Sequence, residues 1–145
     1  MGYGLPAAVM AKRSHPERIV VALAGDGDVM MTVQEFATAV QYGIAVVVVV
    51  LDNGMYGTIR MHQEREYPGR VSATELRNPD FAALARACGG HGERVERTEE
   101  FAPAFERSLT SGLPAMIHCL VDPEALTPTM TLAAIREKAF AAQRG

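Results

Sequence analysis

The sequence predicts an α/β fold in which helices cover both faces of a parallel sheet. Three short apolar runs, at residues 19–24, 45–51 and 115–121, are rich in β-branched residues and do not alternate with polar ones. Such runs are typical of strands that are buried on both faces. Helical patterns separate the runs, so the strands are expected to be joined by helical crossovers, as in other parallel sheets.

The remaining elements follow from periodicity and from local start and stop signals. Thr32 and Glu35 have the spacing of a capping box, which predicts a helix over 32–42 that ends before Gly43. A weaker, charged strand is predicted at 93–96, at an edge of the sheet. Further helices are predicted at 6–12, 80–88, 99–109 and 132–143.

Length and composition limit the class of protein. The 145 residues are 48% apolar and 21% charged, which predicts one globular domain over residues 1–145. A net charge of −3 without a basic block excludes an electrostatic nucleic-acid surface. The longest uncharged apolar run, 44–51, is too short to cross a membrane, and the amino terminus lacks a signal-peptide pattern. Cys88 and Cys119 read as buried thiols in a reducing compartment, so the expected location is the cytoplasm.

Two polar clusters directly follow the first two predicted strands. Gly25-Asp26-Gly27-Asp28 follows one, and a segment that begins at Asp52-Asn53 follows the other. Because ligands bind beyond the carboxyl ends of parallel strands, both clusters are candidates for one site. The glycines let the backbone approach an anionic group closely, but the Asp26 carboxylate would repel a bare phosphate. A cation removes this conflict, and Asp26, Asn53 and a backbone carbonyl are oxygen donors of the kind that Mg²⁺ prefers.

Other interpretations of these residues stay open at this point. Gly25-Asp26-Gly27 is the first half of a dinucleotide-binding loop, although Met30 occupies the third glycine position of that motif. No Gly-Lys-Ser/Thr sequence follows a glycine-rich turn, which excludes a nucleoside-triphosphate loop. His62 and Gln63 are predicted to lie on a solvated, charged helix, and His118 is predicted to be a hydrogen-bonded core histidine.

Three separated segments, MGYGLPAA, GDGDVMMTVQEFATAVQYG and DNGMYGTIR, occur in an order that resembles one family. The arrangement is similar to the carboxy-terminal cofactor domain of thiamine diphosphate enzymes of the acetolactate synthase and benzoylformate decarboxylase group. The resemblance implies Mg²⁺ ligation by the side chains of Asp26 and Asn53 and by the backbone carbonyl of Met55. It implies further contacts with thiamine diphosphate through Gly25, Gly27, Asp28, Tyr56 and Gly57, and contact of Met1 and Gly2 with the aminopyrimidine ring. Asp52 is a departure, because the family commonly has Asn there, but Asn53 retains the ligand position.

The resemblance also implies an activity that needs more than this chain. Enzymes of this group make or break carbon–carbon bonds next to the carbonyl of a 2-oxo acid, within homo-oligomers. Their activating glutamate belongs to a separate pyrimidine-binding domain, so the catalytic glutamate is expected outside residues 1–145, which are expected to lack the first elements of the cofactor domain. A catalytically silent isolated domain or subunit is therefore an alternative hypothesis.

Overall fold

A computed structural model describes residues 1–127 and 129–143. Its elements in chain order are α1 Gly4–Ser14, β1 Val21–Gly25, α2 Asp26–Val29, α3 Glu35–Gln41, β2 Val47–Asp52, α4 Gly57–Glu66, α5 Phe81–Ala87, β3 His91–Val95, α6 Thr98–Thr110, β4 Ala115–Leu120, β5 Ala125–Thr127, β6 Met130–Thr131 and α7 Leu132–Gln143. The chain divides into two compact units. The first unit comprises Met1–Asp52 and Asn78–Leu120, and the second comprises Asn53–Arg77 and Val121–Gly145.

The first unit is built on a four-stranded sheet in which every pair is parallel and the order is β1-β2-β4-β3. Strand β2 lies at the centre, where Val48 and Val50 pack on one face and Val47 and Val49 on the other. Helices α1, α3 and α5 contribute Leu5, Phe36 and Phe81 to the first core, and Ala104 of α6 packs in the second. The predicted α/β class, with helices on both faces of a parallel sheet, is confirmed.

The start of α3 corrects one prediction. The helix begins at Glu35 rather than at Thr32, and no side chain caps its amino end. The N–H of Glu35 donates to the backbone carbonyl of Thr32, at 2.9 Å, rather than to its hydroxyl, and the hydroxyl itself donates to the carbonyl of Gly2, also at 2.9 Å. The predicted end of the helix is confirmed, since α3 ends at Gln41 and Gly43 has the left-handed φ of 61° that a glycine tolerates.

The second unit contains α4, α7 and a small antiparallel hairpin of β5 and β6. Helix α7 has the bounds that the sequence predicts, whereas the hairpin was not predicted. Glu64 of α4 is only 1% exposed and accepts two hydrogen bonds from the guanidinium of Arg136 in α7, at 2.7 and 2.8 Å. The prediction of a solvated helix around His62 is therefore wrong for Glu64, although His62 itself is exposed.

None of the helices within residues 1–127 and 129–143 has both the length and the apolar character needed to cross a membrane.

Candidate functional site

Asp26 is the first residue of α2 and lies directly beyond the carboxyl end of β1. It is 3% exposed, and both of its carboxylate oxygens accept hydrogen bonds. Oδ1 accepts from the backbone N–H of Gly27 at 2.8 Å, and Oδ2 accepts from the side-chain amide of Asn78 at 2.7 Å. A side-chain atom added at the neighbouring Gly25 would meet nothing within 4 Å, so the backbone there is open to a ligand.

Asp26 is part of a polar network at the carboxyl ends of three neighbouring strands of the first unit. The Asn78 amide also donates to Oδ1 of Asp52, the last residue of β2, at 2.9 Å. The other Asp52 oxygen, Oδ2, lies 2.9 Å from Nε2 of His118 in β4. His118 is 2% exposed, which confirms the prediction of a hydrogen-bonded core histidine. Its Nδ1 faces Asp80 at 3.6 Å, which is longer than a hydrogen bond.

The electrostatics of the network favour a cation beside Asp26. Burial raises the pKa of the Asp26 carboxyl above its ordinary value, and the neighbouring Asp52 carboxylate raises it further. Hydrogen bonds from Gly27 and Asn78 oppose this shift without reversing it. The charged form of the Asp26 carboxyl is therefore disfavoured in this site, and either a proton or an oxygen-loving cation would relieve it.

The amino terminus is tied to the same unit through Asp28. The Asp28 carboxylate accepts from the backbone N–H of Gly2 at 2.5 Å, and the Gly2 carbonyl accepts from Thr32. Gly2 has a φ of 76°, and a Cβ there would lie 3.1 Å from Met31. Met1 is 67% exposed, but it is bonded to Gly2, whose backbone these two hydrogen bonds hold in place. The Asp28 carboxylate is therefore occupied by Gly2, whereas the contact with the diphosphate that the resemblance implies would involve the Asp28 backbone.

The second unit holds the other predicted ligands on the loop that precedes α4. The Asn53 side-chain oxygen accepts from the backbone N–H of Met55 at 3.2 Å. Three backbone contacts fix this loop against residues 74–76. The Tyr56 N–H donates to the Thr74 carbonyl at 2.9 Å, Met55 bridges Glu75, and the Gly54 carbonyl accepts from the N–H of Leu76 at 2.8 Å.

Gly57 begins α4 immediately beside the Asn53 amide. A Cβ at Gly57 would lie 2.9 Å from Nδ2 of Asn53, which is closer than real Cβ contacts allow. A glycine at this position therefore lets the Asn53 side chain keep its place. The predicted loop residues Asn53, Met55, Tyr56 and Gly57 are thus brought together within the second unit, and each is partly buried.

Asn78 was missed as a site residue at the sequence level. The Asn78-Pro79 pair was read only as a turn, and Asn78 is 52 positions from Asp26, so no local spacing could connect them. A chemical argument could have indicated that a donor such as Asn78 was needed, because two carboxylates at one sheet edge, Asp26 and Asp52, require hydrogen-bond donors. Across residues 1–127 and 129–143, no three His, Cys, Asp or Glu side chains converge as a metal site. A metal here would therefore also need amide or carbonyl oxygens.

The fold is that of an open parallel α/β domain, a class that binds ligands beyond the carboxyl ends of its strands, and the Asp26 network lies at that edge. Comparison with known proteins gives the family. The description "Thiamine pyrophosphate enzyme, C-terminal TPP binding domain" fits residues 1–119. The chain belongs to this family. Thiamine pyrophosphate is another name for thiamine diphosphate.

Individual relatives agree with this assignment. The chain is 40% identical to the acetolactate synthase isozyme 2 large subunit of Escherichia coli (strain K12) over 123 residues, which are 84% of this chain and 22% of that protein. It is 40% identical to the acetolactate synthase large subunit of Haemophilus influenzae (strain ATCC 51907 / DSM 11121 / KW20 / Rd) over 111 residues, or 76% of this chain and 19% of that one.

A solved structure supports the same fold. The thiamine diphosphate-dependent 4-hydroxybenzoylformate decarboxylase of Rhodococcus jostii RHA1 is 34% identical and has a TM-score of 0.78, over 84% of this chain and 23% of that one. The chain thus spans about a fifth of the length of the curated relatives that it matches.

Proposed function

We propose that this chain binds thiamine diphosphate through Mg²⁺ as part of an acetolactate synthase-like enzyme or 2-oxo acid decarboxylase. The observation that carries the proposal is the Asp26 carboxylate, which is buried at the carboxyl edge of the sheet beside a second carboxylate. Membership of the thiamine pyrophosphate enzyme family identifies the anionic cofactor that such a metal would hold.

The donor set suits a hard divalent cation. The side chains of Asp26 and Asn53 and the carbonyl of Met55 would hold Mg²⁺, and diphosphate oxygens would complete its coordination. Gly25, Gly27 and Asp28 would contact the diphosphate through their backbone, with Tyr56 and Gly57 on the second loop and Met1 toward the ring. The cofactor supplies the electron sink for bond making or breaking next to a carbonyl, while these residues bind and orient it.

The activity itself is proposed for a larger assembly. The catalytic glutamate that activates the aminopyrimidine would come from a pyrimidine-binding domain on another chain or on a segment outside these residues, in a homo-oligomer acting on a 2-oxo acid in the cytoplasm. The small share of each relative that this chain spans supports the need for further domains. The free cysteines Cys88 and Cys119 support a reducing compartment, and hence the cytoplasm. Alone, the chain would be catalytically silent, and decarboxylation of pyruvate by the purified chain would contradict this.

Calorimetric titration of thiamine diphosphate, in the presence of Mg²⁺, into the chain combined with a pyrimidine-binding domain tests the binding proposal. Asp26→Ala should weaken binding by about a hundredfold, or about 3 kcal/mol, because a charged ligand is lost from a desolvated site. Asp80→Asn is the matched control, since it removes a carboxylate of the same unit while Asn still caps α5. Equal binding by the wild-type chain and by Asp26→Ala would contradict the proposal, as would an absence of binding by the wild type.

A further inference from the structure

The amide of Asn78 lies between two carboxylates of the first unit. Its nitrogen donates to Oδ2 of Asp26 at 2.7 Å and to Oδ1 of Asp52 at 2.9 Å. A primary amide nitrogen carries two hydrogens, so it serves one to each carboxylate. The amide oxygen in the same place would face two negative charges and be repelled. The orientation of the Asn78 side chain is therefore determined by chemistry.

The residues that follow Asn78 in the chain hold its backbone in place. Pro79 restricts the residue before it to extended conformations. Asp80 then caps α5, since its carboxylate accepts from the backbone N–H of Ala83 at 3.0 Å. Asn78 is thus attached to the rigid start of a helix whose Phe81 is fully buried. Its amide approaches Asp26 from a fixed direction.

From this geometry we infer that Asn78 is a positioning residue, which holds the Asp26 carboxylate in the orientation that ligates the metal; the inference rests on the proposed function. With Gly27 on Oδ1 and Asn78 on Oδ2, the carboxylate cannot rotate without breaking a hydrogen bond. A carboxylate oxygen has two acceptor sites, so neither of these two hydrogen bonds by itself uses up the capacity of its oxygen to bind a cation. The two donors therefore fix the ligand without blocking it.

Binding of Mn²⁺ to the chain combined with a pyrimidine-binding domain, in the presence of thiamine diphosphate, tests the inference, with free Mn²⁺ measured by electron paramagnetic resonance. Removal of a group that orients a metal ligand typically weakens metal affinity by about tenfold or more, and this is the expected increase in Kd for Asn78→Ala. Asn78→Ser keeps one O–H donor, so a smaller increase is expected. If the alanine variant fails to fold, the Kd for Mn²⁺ of the serine variant still tests the inference.

A matched control separates positioning from stability. Phe105→Ala lowers stability by removing packing from the second core, and Phe105 belongs to α6 rather than to the start of α5 that holds Asn78. Thermal unfolding of each variant gives the stability loss, and Mn²⁺ affinity should fall for the Asn78 variants only. An Asn78→Ala affinity within about twofold of wild type, or an equal loss in Phe105→Ala, would overturn the inference. Absence of Mn²⁺ binding by the wild-type chain would instead overturn the proposed function.

Discussion

Removal of the Arg136 guanidinium should destabilise the chain, because it leaves the buried Glu64 carboxylate without its main partner. Arg136 donates to both Glu64 oxygens, and Glu64 is 1% exposed. Two other donors remain after the change. Arg60 lies 3.2 Å from Oε1, and the backbone N–H of Gly69 lies 2.8 Å from Oε2. Arg136→Ala thus removes the two shorter side-chain hydrogen bonds and leaves a partly compensated negative charge in the second unit.

The expected loss is about 3 kcal/mol of unfolding free energy. The hydrogen bonds from Arg136 are the largest cause that lowers the pKa of Glu64, from an ordinary 4.5 to about 2. A shift of that size corresponds to about 3 kcal/mol as an upper value, because the Arg136 side chain is 31% exposed and solvent screens part of the attraction. Breaking a buried ion pair by removing one partner typically costs about 3 to 5 kcal/mol, which agrees.

Urea unfolding followed by circular dichroism measures this loss, and acid provides a second signature. Because the pKa of Glu64 is lower in the folded chain, its stabilisation is present above pH 4.5 and disappears as the pH falls toward about 2. The difference between wild type and Arg136→Ala should therefore shrink over that window. The double variant Glu64→Met with Arg136→Leu should recover most of the loss, since it removes both charges.

Arg18→Ala is the matched control for the arginine change. Arg18 and Glu17 lie 3.8 Å apart with side chains that are 74% and 68% exposed, so the loss of their contact should cost less than about 1 kcal/mol. A loss for Arg136→Ala no larger than that of Arg18→Ala would refute the reasoning, and so would a loss that does not change between neutral and acid pH.

Two further outcomes are expected. Gly57→Ala should displace the Asn53 amide, because the new Cβ would lie 2.9 Å from Nδ2. Calorimetry in the presence of Mg²⁺ should then show thiamine diphosphate binding that is weaker by about tenfold. Unchanged binding would show that the Asn53 side chain is not a ligand. His118→Ala should lower the free energy of unfolding in urea by about 2 kcal/mol, because it removes a hydrogen-bond donor from the buried Asp52. The loss should be smaller in an Asp52→Asn background, and equal losses in both backgrounds would exclude energetic coupling between His118 and Asp52.

Much of the fold was predictable because the signals were local. The valine run at 45–51 and the apolar run at 115–121 could only be buried strands, and they became β2 and β4. Asp26 was predicted as a metal ligand because a carboxylate in a glycine-rich loop would repel a bare phosphate unless a cation lay between them. The start of α3 was predicted wrongly because residues 31–34 form turns, in which the N–H of Glu35 donates to the backbone carbonyl of Thr32. The Thr32 hydroxyl has a distant partner, Gly2, that no sequence window includes.

The supporting residues were not predictable for the same reason. Glu64 has the sequence context of a solvated helix, and its burial depends on an arginine 72 positions away. Asn78 has the context of a turn, and its donors reach carboxylates 52 and 26 positions earlier. Pattern identifies elements and motif residues, whereas tertiary packing decides which polar side chains hold those motif residues in place.

The positions of the donors along the chain also determine when the polar network of the first unit can be completed during synthesis. Asp26 and Asp52 emerge early and sit at the ends of neighbouring strands, but their donors come later, at Asn78 and at His118, 66 positions beyond Asp52. Since contacts between distant positions form slowly and the central strand β2 needs β4 as its second neighbour, the first half of the chain cannot bury these carboxylates by itself. The polar network around Asp26 and Asp52 can therefore be completed only after Asn78 and His118 have been synthesised.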